Sequence, residues 1–383
     1  MSGKRKLFEE VGEPAERPAP LAGAIDRAGR AARGARPAVR AWLLVLFALV
    51  VVMVAVGGLT RLTDSGLSIT EWRLIGGALP PMSDAAWAAA FEKYRAIPEY
   101  QLQNRGMSLD EFKVIYWWEW GHRQLGRVVG LVWAAGFLYF WLARKMPAGW
   151  APRLLGLGAL GGLQGAVGWW MVSSGLTGTM LDVASYRLAV HLGLAFIILG
   201  LIAWYAFLLS RSEAQLLQAR RAREPKLFAL ATGAVGLAFL QVLLGALVAG
   251  IDAGRGFTDW PLMAGGLLPP DPLAIEPLWR NFFENAGLVQ FVHRIAGYLL
   301  FAYGLALWWQ GRRSAQARTR AAFNMMAAIL VLQVALGIVT VMNAAPLALA
   351  LAHQLGAVAL WVALLRTRFL ARYPVATPIR GPG

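Results

Sequence analysis

Runs of about twenty predominantly apolar residues alternate with polar stretches along most of this chain, which predicts membrane-spanning helices. Eight such runs lie at approximately 41–60, 122–143, 152–174, 187–208, 227–249, 288–309, 321–343 and 347–366. Pro346 and a short turn part the last run from its predecessor. Residues 1–40 lack a sustained apolar period and are expected to form a mostly disordered basic tail, with a helical turn around Ile25–Arg33. Residues 209–226 read as a basic linker and 367–383 as a second polar tail. Between the first two runs, Ser83 to Tyr94 spaces Trp87, Phe91 and Tyr94 along one helical face. That spacing predicts an amphipathic helix lying on the membrane or roofing the first helices.

The chain repeats itself. Asp64, Gly66, Thr70, Trp72, Gly76, Gly77, Pro80 and Pro81 recur in order as Asp252, Gly254, Thr258, Trp260, Gly265, Gly266, Pro269 and Pro270. Further along, His122-Arg123 answers His293-Arg294, Gln164–Gly168 answers Gln333–Gly337, and His191 answers His353. Two four-helix halves follow, 41–208 and 227–366, and an even helix number gives both the same orientation. The expected fold is an all-α integral membrane protein of eight transmembrane helices in two pseudo-twofold-related four-helix bundles.

Composition agrees with that class: 58% of residues are hydrophobic, 15% are charged, and there are 17 tryptophans. A net charge of +16 would suggest nucleic acid in a soluble protein. Here most of the 37 lysines and arginines fall in the tails and the even-numbered loops, which places both termini in the cytoplasm. The long loops 61–121 and 250–287 then face the opposite side. The chain has no cysteine, which excludes disulfides, thiolate metal sites and cysteine nucleophiles. The glycine-rich run from Gly156 to Gly162 lies inside an apolar span, where helix packing explains it better than phosphate binding.

The four histidines are His122, His191, His293 and His353, two in each half. Each falls at the start of an even-numbered apolar run, near the outer face. A single histidine there is more often a packing residue than a ligand. The only four in the chain, at matching positions of a repeat, point instead to ligation of heme iron by two histidines per bundle. Gly126, Gly193, Gly297 and Gly356 would let a macrocycle or a neighbouring helix come close. Arg123 and Arg294 are candidates to pair with heme propionates. Zinc or non-heme iron would want further donors that these helices do not offer.

The halves diverge at one place. On the histidine register, Glu119 corresponds to Gln290 and Arg127 to Tyr298, and the first outer loop is longer than the second. Glu119 stands about one helical turn before His122. It is therefore the candidate proton-transfer residue, which makes the first half catalytic and the second an electron-transfer or structural site. The plainer reading pairs Glu119 with Arg123 at the interface.

The stretch Gly57–Trp72, the Gly76–Pro81 turn, the Glu119/His122-Arg123 cluster and the paired His191 and His353 resemble the heme A synthase family over residues 41–366. The resemblance implies oxidation of the C8 methyl of heme O to a formyl group by successive hydroxylations, with water as oxygen source. It implies that His122 and His191 face the heme O substrate, that His293 and His353 ligate heme B, and that Glu119 is the essential acid. The Ala/Arg/Gly-rich composition favours a bacterial inner membrane, the mitochondrial inner membrane being the alternative, and the charge topology puts the heme sites toward the periplasm. Heme O synthase, cytochrome oxidase assembly factors, an electron acceptor and a second copy of the chain are the partners that the resemblance suggests, and nucleic acid is not one. Lacking cysteine, the chain resembles the cysteine-free type of the family. Two other classes stay open: a bis-histidine diheme cytochrome exchanging electrons with quinone, and a transporter, which would be colourless.

Overall fold

Twelve α-helices carry the chain through a computed structural model that describes residues 20–73, 76–176 and 180–375, over residues 20–34 as the course of the helix only. In order they are α1 (Pro20–Leu62), α2 (Asp84–Arg95), α3 (Pro98–Leu102), α4 (Leu109–Leu142), α5 (Ala151–Val172) and α6 (Ser185–Leu209). They continue with α7 (Glu213–Arg221), α8 (Pro225–Gly250), α9 (Asn281–Glu284), α10 (Ala286–Gly311), α11 (Ala317–Met342) and α12 (Leu347–Arg372). Among the described residues the only β pairing is an isolated bridge between Met263 and Gly266.

Among the described residues seven helices are long and apolar enough to cross a membrane: Ala35–Leu62 within α1, then α4, α6, α8, α10, α11 and α12. The eighth expected span falls on α5, a helix whose 22 residues reach roughly 33 Å but which is not among those seven. Its glycines and Gln164 dilute its apolar character, so composition alone does not qualify it. In the first half α1, α4, α5 and α6 pack in a closed ring in that order, and α8, α10, α11 and α12 do the same in the second. The two rings meet along α1, α6, α8 and α12.

Three boundaries differ from expectation. Helix α1 begins at Pro20, so residues 20–40 are helical rather than a disordered tail; residues 1–19 lie outside the described set. Alanine and arginine are strong helix formers, and Arg36 and Arg40 anchor the segment on the carbonyls of Leu208, Arg211 and Ala206. Helix α4 starts at Leu109, not near His122, because Ser108 and Glu111 form a reciprocal capping box there. His122 thus lies more than three turns inside its helix, whereas His191, His293 and His353 lie within about two turns of their helix starts. The linker 209–226 contains a helix of its own, α7, started by a second capping box at Ser212 and Gln215.

Helix α2 is the expected amphipathic helix, and it roofs the first half. Ser83 caps it, and its aromatic face packs on the extension of α4: Trp87 against Tyr116 at 4.9 Å and Phe91 against Phe112 at 5.0 Å.

One device recurs where spans cross. Trp42 donates to the Val132 carbonyl beside Gly136, Trp133 to Leu154 beside Gly158, and Trp361 to Phe196 beside Gly200. Each glycine stands four residues after the carbonyl, where a side chain would block the approaching indole. Gly158 therefore serves helix packing, as expected of its run.

The outer ends of the two halves are pinned by one arginine. Arg61, 10% exposed, reaches Asp64 at 2.8 Å, Asp252 at 3.0 Å and Asp182 at 3.5 Å. Asp64 and Asp252 are repeat equivalents, and both adopt the left-handed conformation just past their helices, with φ of 48° and 53°. Removing the guanidinium would leave three facing carboxylates. Arg61→Ala should cost about 2 kcal/mol, less than a wholly buried pair because the aspartates are part-exposed. The midpoint of unfolding in detergent reads this, with Asp182→Asn as the milder comparison.

Candidate functional site

Helices α4 and α6 are diagonal members of the first ring, as α10 and α12 are of the second, so they face each other across each bundle. His122 and His191 stand on the first pair of helices and His293 and His353 on the second. The structure thus brings the four sequence-predicted histidines together two by two, toward the end that carries the long loops.

Each ring rests on a glycine of the long helix that precedes its own: α1 for α4, α5 for α6, α8 for α10 and α11 for α12. A methyl group at Gly168 would lie 3.0 Å from His191, at Gly245 3.1 Å from His293, at Gly337 2.9 Å from His353, and at Gly57 3.4 Å from His122. The glycines that follow the histidines have another task. Gly193 admits Leu243, Gly297 admits Gln241 and Gly356 admits Gln333, all from neighbouring helices.

Three histidines also share a glutamine four residues before the supporting glycine. The Nε2 of Gln164 donates to the His191 carbonyl at 3.0 Å and sits 3.2 Å from both ring nitrogens. Gln241 does the same for His293, with 3.0 Å to the carbonyl, and Gln333 donates to the His353 carbonyl at 2.9 Å and sits 3.2 Å from its Nδ1. The Oε1 atoms of all three glutamines are buried without a partner. Sequence reading used Gln164 and Gln333 only as markers of the repeat; the shared Gln-x-x-x-Gly spacing was the available signal.

Glu119 is 3% exposed and held by four donors from three residues. Ser68 Oγ and the Ile69 amide donate to one carboxylate oxygen at 2.7 and 2.6 Å. Arg123 donates to the other through Nη2 at 2.6 Å and Nε at 3.1 Å. The guanidinium of Arg123 also ties down the outer loop through the carbonyls of Ile69 and Glu71, and lies 5.5 Å over the Trp72 ring. Glu119 does pair with Arg123, but as a caged carboxylate and not as a solvated surface pair.

The second half repeats the frame with the polarity reversed. Arg294 donates to the carbonyls of Phe257, Asp259 and Leu262, where Arg123 takes those of Ile69 and Glu71. Gln290 donates its amide to the carbonyls of Ala253 and Gly256. The first outer loop offers donors to a carboxylate; the second offers acceptors to an amide. At the other divergent position, Arg127 reaches the Arg73 carbonyl, while Tyr298 accepts from the Trp260 indole.

No group of three or more His, Asp or Glu side chains suited to a bare metal ion occurs among the described residues. Paired imidazoles on facing helices instead suit the two axial positions of a heme iron.

The COX15-CtaA family model of cytochrome oxidase assembly proteins matches residues 40–365. The chain belongs to this family. It is 65% identical to the heme A synthase of Dinoroseobacter shibae over 382 residues, covering 100% of this chain and 99% of that one. The heme A synthase of Ruegeria pomeroyi is likewise 65% identical, with both chains fully covered. That of Cereibacter sphaeroides is 59% identical, with 98% of each chain covered. All three name the same enzyme, so family membership extends over the tails as well as the helices.

One buried acid in the first half escaped the sequence reading. Glu99 on α3 is 3% exposed, with Oε1 3.3 Å from the Asn104 amide and Oε2 unpartnered among the described residues. Burial pushes its carboxyl from 4.5 up to about 8, and the negative charges of Asp182 and Glu119 add to that. The folded state therefore keeps a proton that the unfolded chain loses, so this group makes stability fall as pH rises from about 4.5 to about 8. Glu99→Gln should flatten that fall and gain most over the parent near pH 8. Unfolding midpoints of both proteins across this range check it.

Proposed function

We propose that the protein is a heme A synthase, oxidising the C8 methyl of heme O to a formyl group with oxygen drawn from water. The caged Glu119 beside one histidine pair, with no acid at the other, is the observation that carries the division of labour. On this reading residues 41–208 hold the substrate and residues 227–366 hold heme B, as two four-helix bundles related by a pseudo-twofold axis with α5 as the eighth span. The protein lies in the bacterial inner membrane with both termini cytoplasmic and the histidine pairs toward the periplasm.

The residues present fit such a group. Each half sets its two imidazoles on diagonal helices, the placement from which a bundle can hold a flat macrocycle. A histidine bound through Nε2 presents Nδ1–H and needs an acceptor. The orphaned buried Oε1 of Gln164, Gln241 and Gln333 is an acceptor on the same side chain that already reaches each of these rings. In the second half Arg294 keeps an unpartnered buried Nε–H, one donor for a propionate. Heme B, held by His293 and His353, supplies one-electron chemistry when bound.

Each hydroxylation removes two electrons and one proton from the methyl carbon and adds the hydroxide of a water, whose other proton is also released; a second hydroxylation and loss of water give the formyl group. His122 and His191 seat the heme O substrate. Glu119 takes a proton as water adds, and Ser68, Ile69 and Arg123 keep its carboxylate aimed and stabilise its charge. Trp72, Trp169, Val172 and Leu176 wall the small cavity against Arg123 and limit access of bulk water. The electrons leave to a membrane acceptor, and heme O synthase and oxidase assembly factors are the partners that deliver and collect the pigment.

Glu119→Gln should retain heme O yet lose hydroxylated products, by at least about 100-fold, within the range of acid–base contributions. Chromatography of extracted hemes B, O and A reads both quantities, and undiminished heme A would remove Glu119 from the mechanism. His293→Ala should lose the resident heme B. Unchanged pigment content there would end the ligand assignment.

A further inference from the structure

Three of the four histidines are tethered by a glutamine, and the fourth is not. In the repeat register the position of Gln241 is occupied in α1 by Met53, four residues before Gly57 as Gln241 is four before Gly245. The structure keeps the register: a methyl at Gly297 would meet Gln241 at 3.2 Å, and one at the equivalent Gly126 would meet the Met53 methyl at 3.6 Å. Met53 thus reaches toward α4 as Gln241 reaches toward α10, without a donor. Among the described residues no side chain hydrogen-bonds the His122 ring or its carbonyl.

We infer that His122 is the exchangeable ligand of the first-half heme, that Met53 makes it so, and that Gln164 holds His191 as the fixed ligand. The inference rests on the reading that these histidines seat a heme. A hydrogen-bonded second shell fixes the imidazole plane and strengthens the ligand, and its loss typically weakens metal affinity about 10–100-fold. A thioether is at best a weak acceptor and is unbranched and compliant. It fills the space of the glutamine but does not hold the ring. The cofactor half has a glutamine on both histidines, as a permanently held group requires. The substrate half has one on His191 only, as suits a group that must bind, react and leave. The free side is also the reactive side, because His122 shares α4 with Glu119, one turn away. A ring that yields there opens the heme face nearest the carboxylate without loosening the attachment at His191.

The test uses the full-length chain, purified with both hemes from cells that make heme O, and carbon monoxide added to the reduced protein. In the parent, the first-half heme should bind carbon monoxide and the second-half heme should not. Met53→Gln should lower the apparent affinity for carbon monoxide about 10-fold or more, while Met53→Leu should resemble the parent. Gln241→Met should make the second half reactive, which keeps the test decisive if Met53→Gln folds poorly. Heme extraction should find first-half heme retained in His122→Ala and lost in His191→Ala. Equal carbon monoxide binding by the parent and Met53→Gln, with both hemes present, overturns the assignment to Met53. Unreactive second-half heme in Gln241→Met overturns it equally. Retention of all heme in both His191→Ala and His293→Ala would instead overturn the underlying heme reading.

Discussion

Everything polar inside these bundles is constrained by one requirement: a hydrogen-bonding group out of reach of water must find its partner within the protein. The helices satisfy their own backbones, so the spare capacity lies in the second lone pair of each carbonyl. The chain uses that capacity repeatedly. Trp42, Trp133, Trp361, Tyr303, Gln164, Gln241, Gln333 and Gln354 each donate to a carbonyl of a neighbouring span. Small residues beside the accepting carbonyls let several of these side chains through, so packing and hydrogen bonding are solved by the same positions. The histidines belong to this scheme, since three of them receive a tether on the carbonyl and an amide at the ring in one contact.

The outer loops obey the same requirement with opposite signs. Arg123 and Arg294 fold their loops down over the bundles through equivalent carbonyls. Between loop and helix, one half then matches Ser68 and Ile69 donors to a carboxylate, and the other matches Ala253 and Gly256 acceptors to an amide. The exchange of Glu119 for Gln290 is therefore not a point change within a fixed frame. Each loop is built to the polarity of its own side chain, and this makes the difference between the halves structurally stable.

The two halves are held in register at the same end. Arg61 has no counterpart in the second half, where Ala249 stands in its place, yet it serves both by reaching the left-handed aspartate past each first helix. The resulting cluster joins α1, α8 and the loop before α6 within the outer layer. Glu99 and Glu119, both buried, lie in the same outer layer over the first half, and the position matching Glu119 in the second half is Gln290.

The apolar runs and the repeat determined the spans, the pairing of the histidines and the singularity of Glu119, because period and spacing survive without coordinates. The aromatic spacing of residues 83–94 likewise sufficed for α2. The tertiary structure decided what neighbours do. That α4 begins at Leu109 follows from a cap inside a loop, a local bond that outweighs the apolar boundary near His122. That Arg123 and Arg294 spend donors on backbone carbonyls depends on where residues some fifty and thirty-five positions earlier return to the helix. Glu99 reads as an ordinary loop acid until burial removes its water. The glutamines were visible as letters in a motif, but only packing across helices gives them the histidines as partners. It also shows that His122 was left without one.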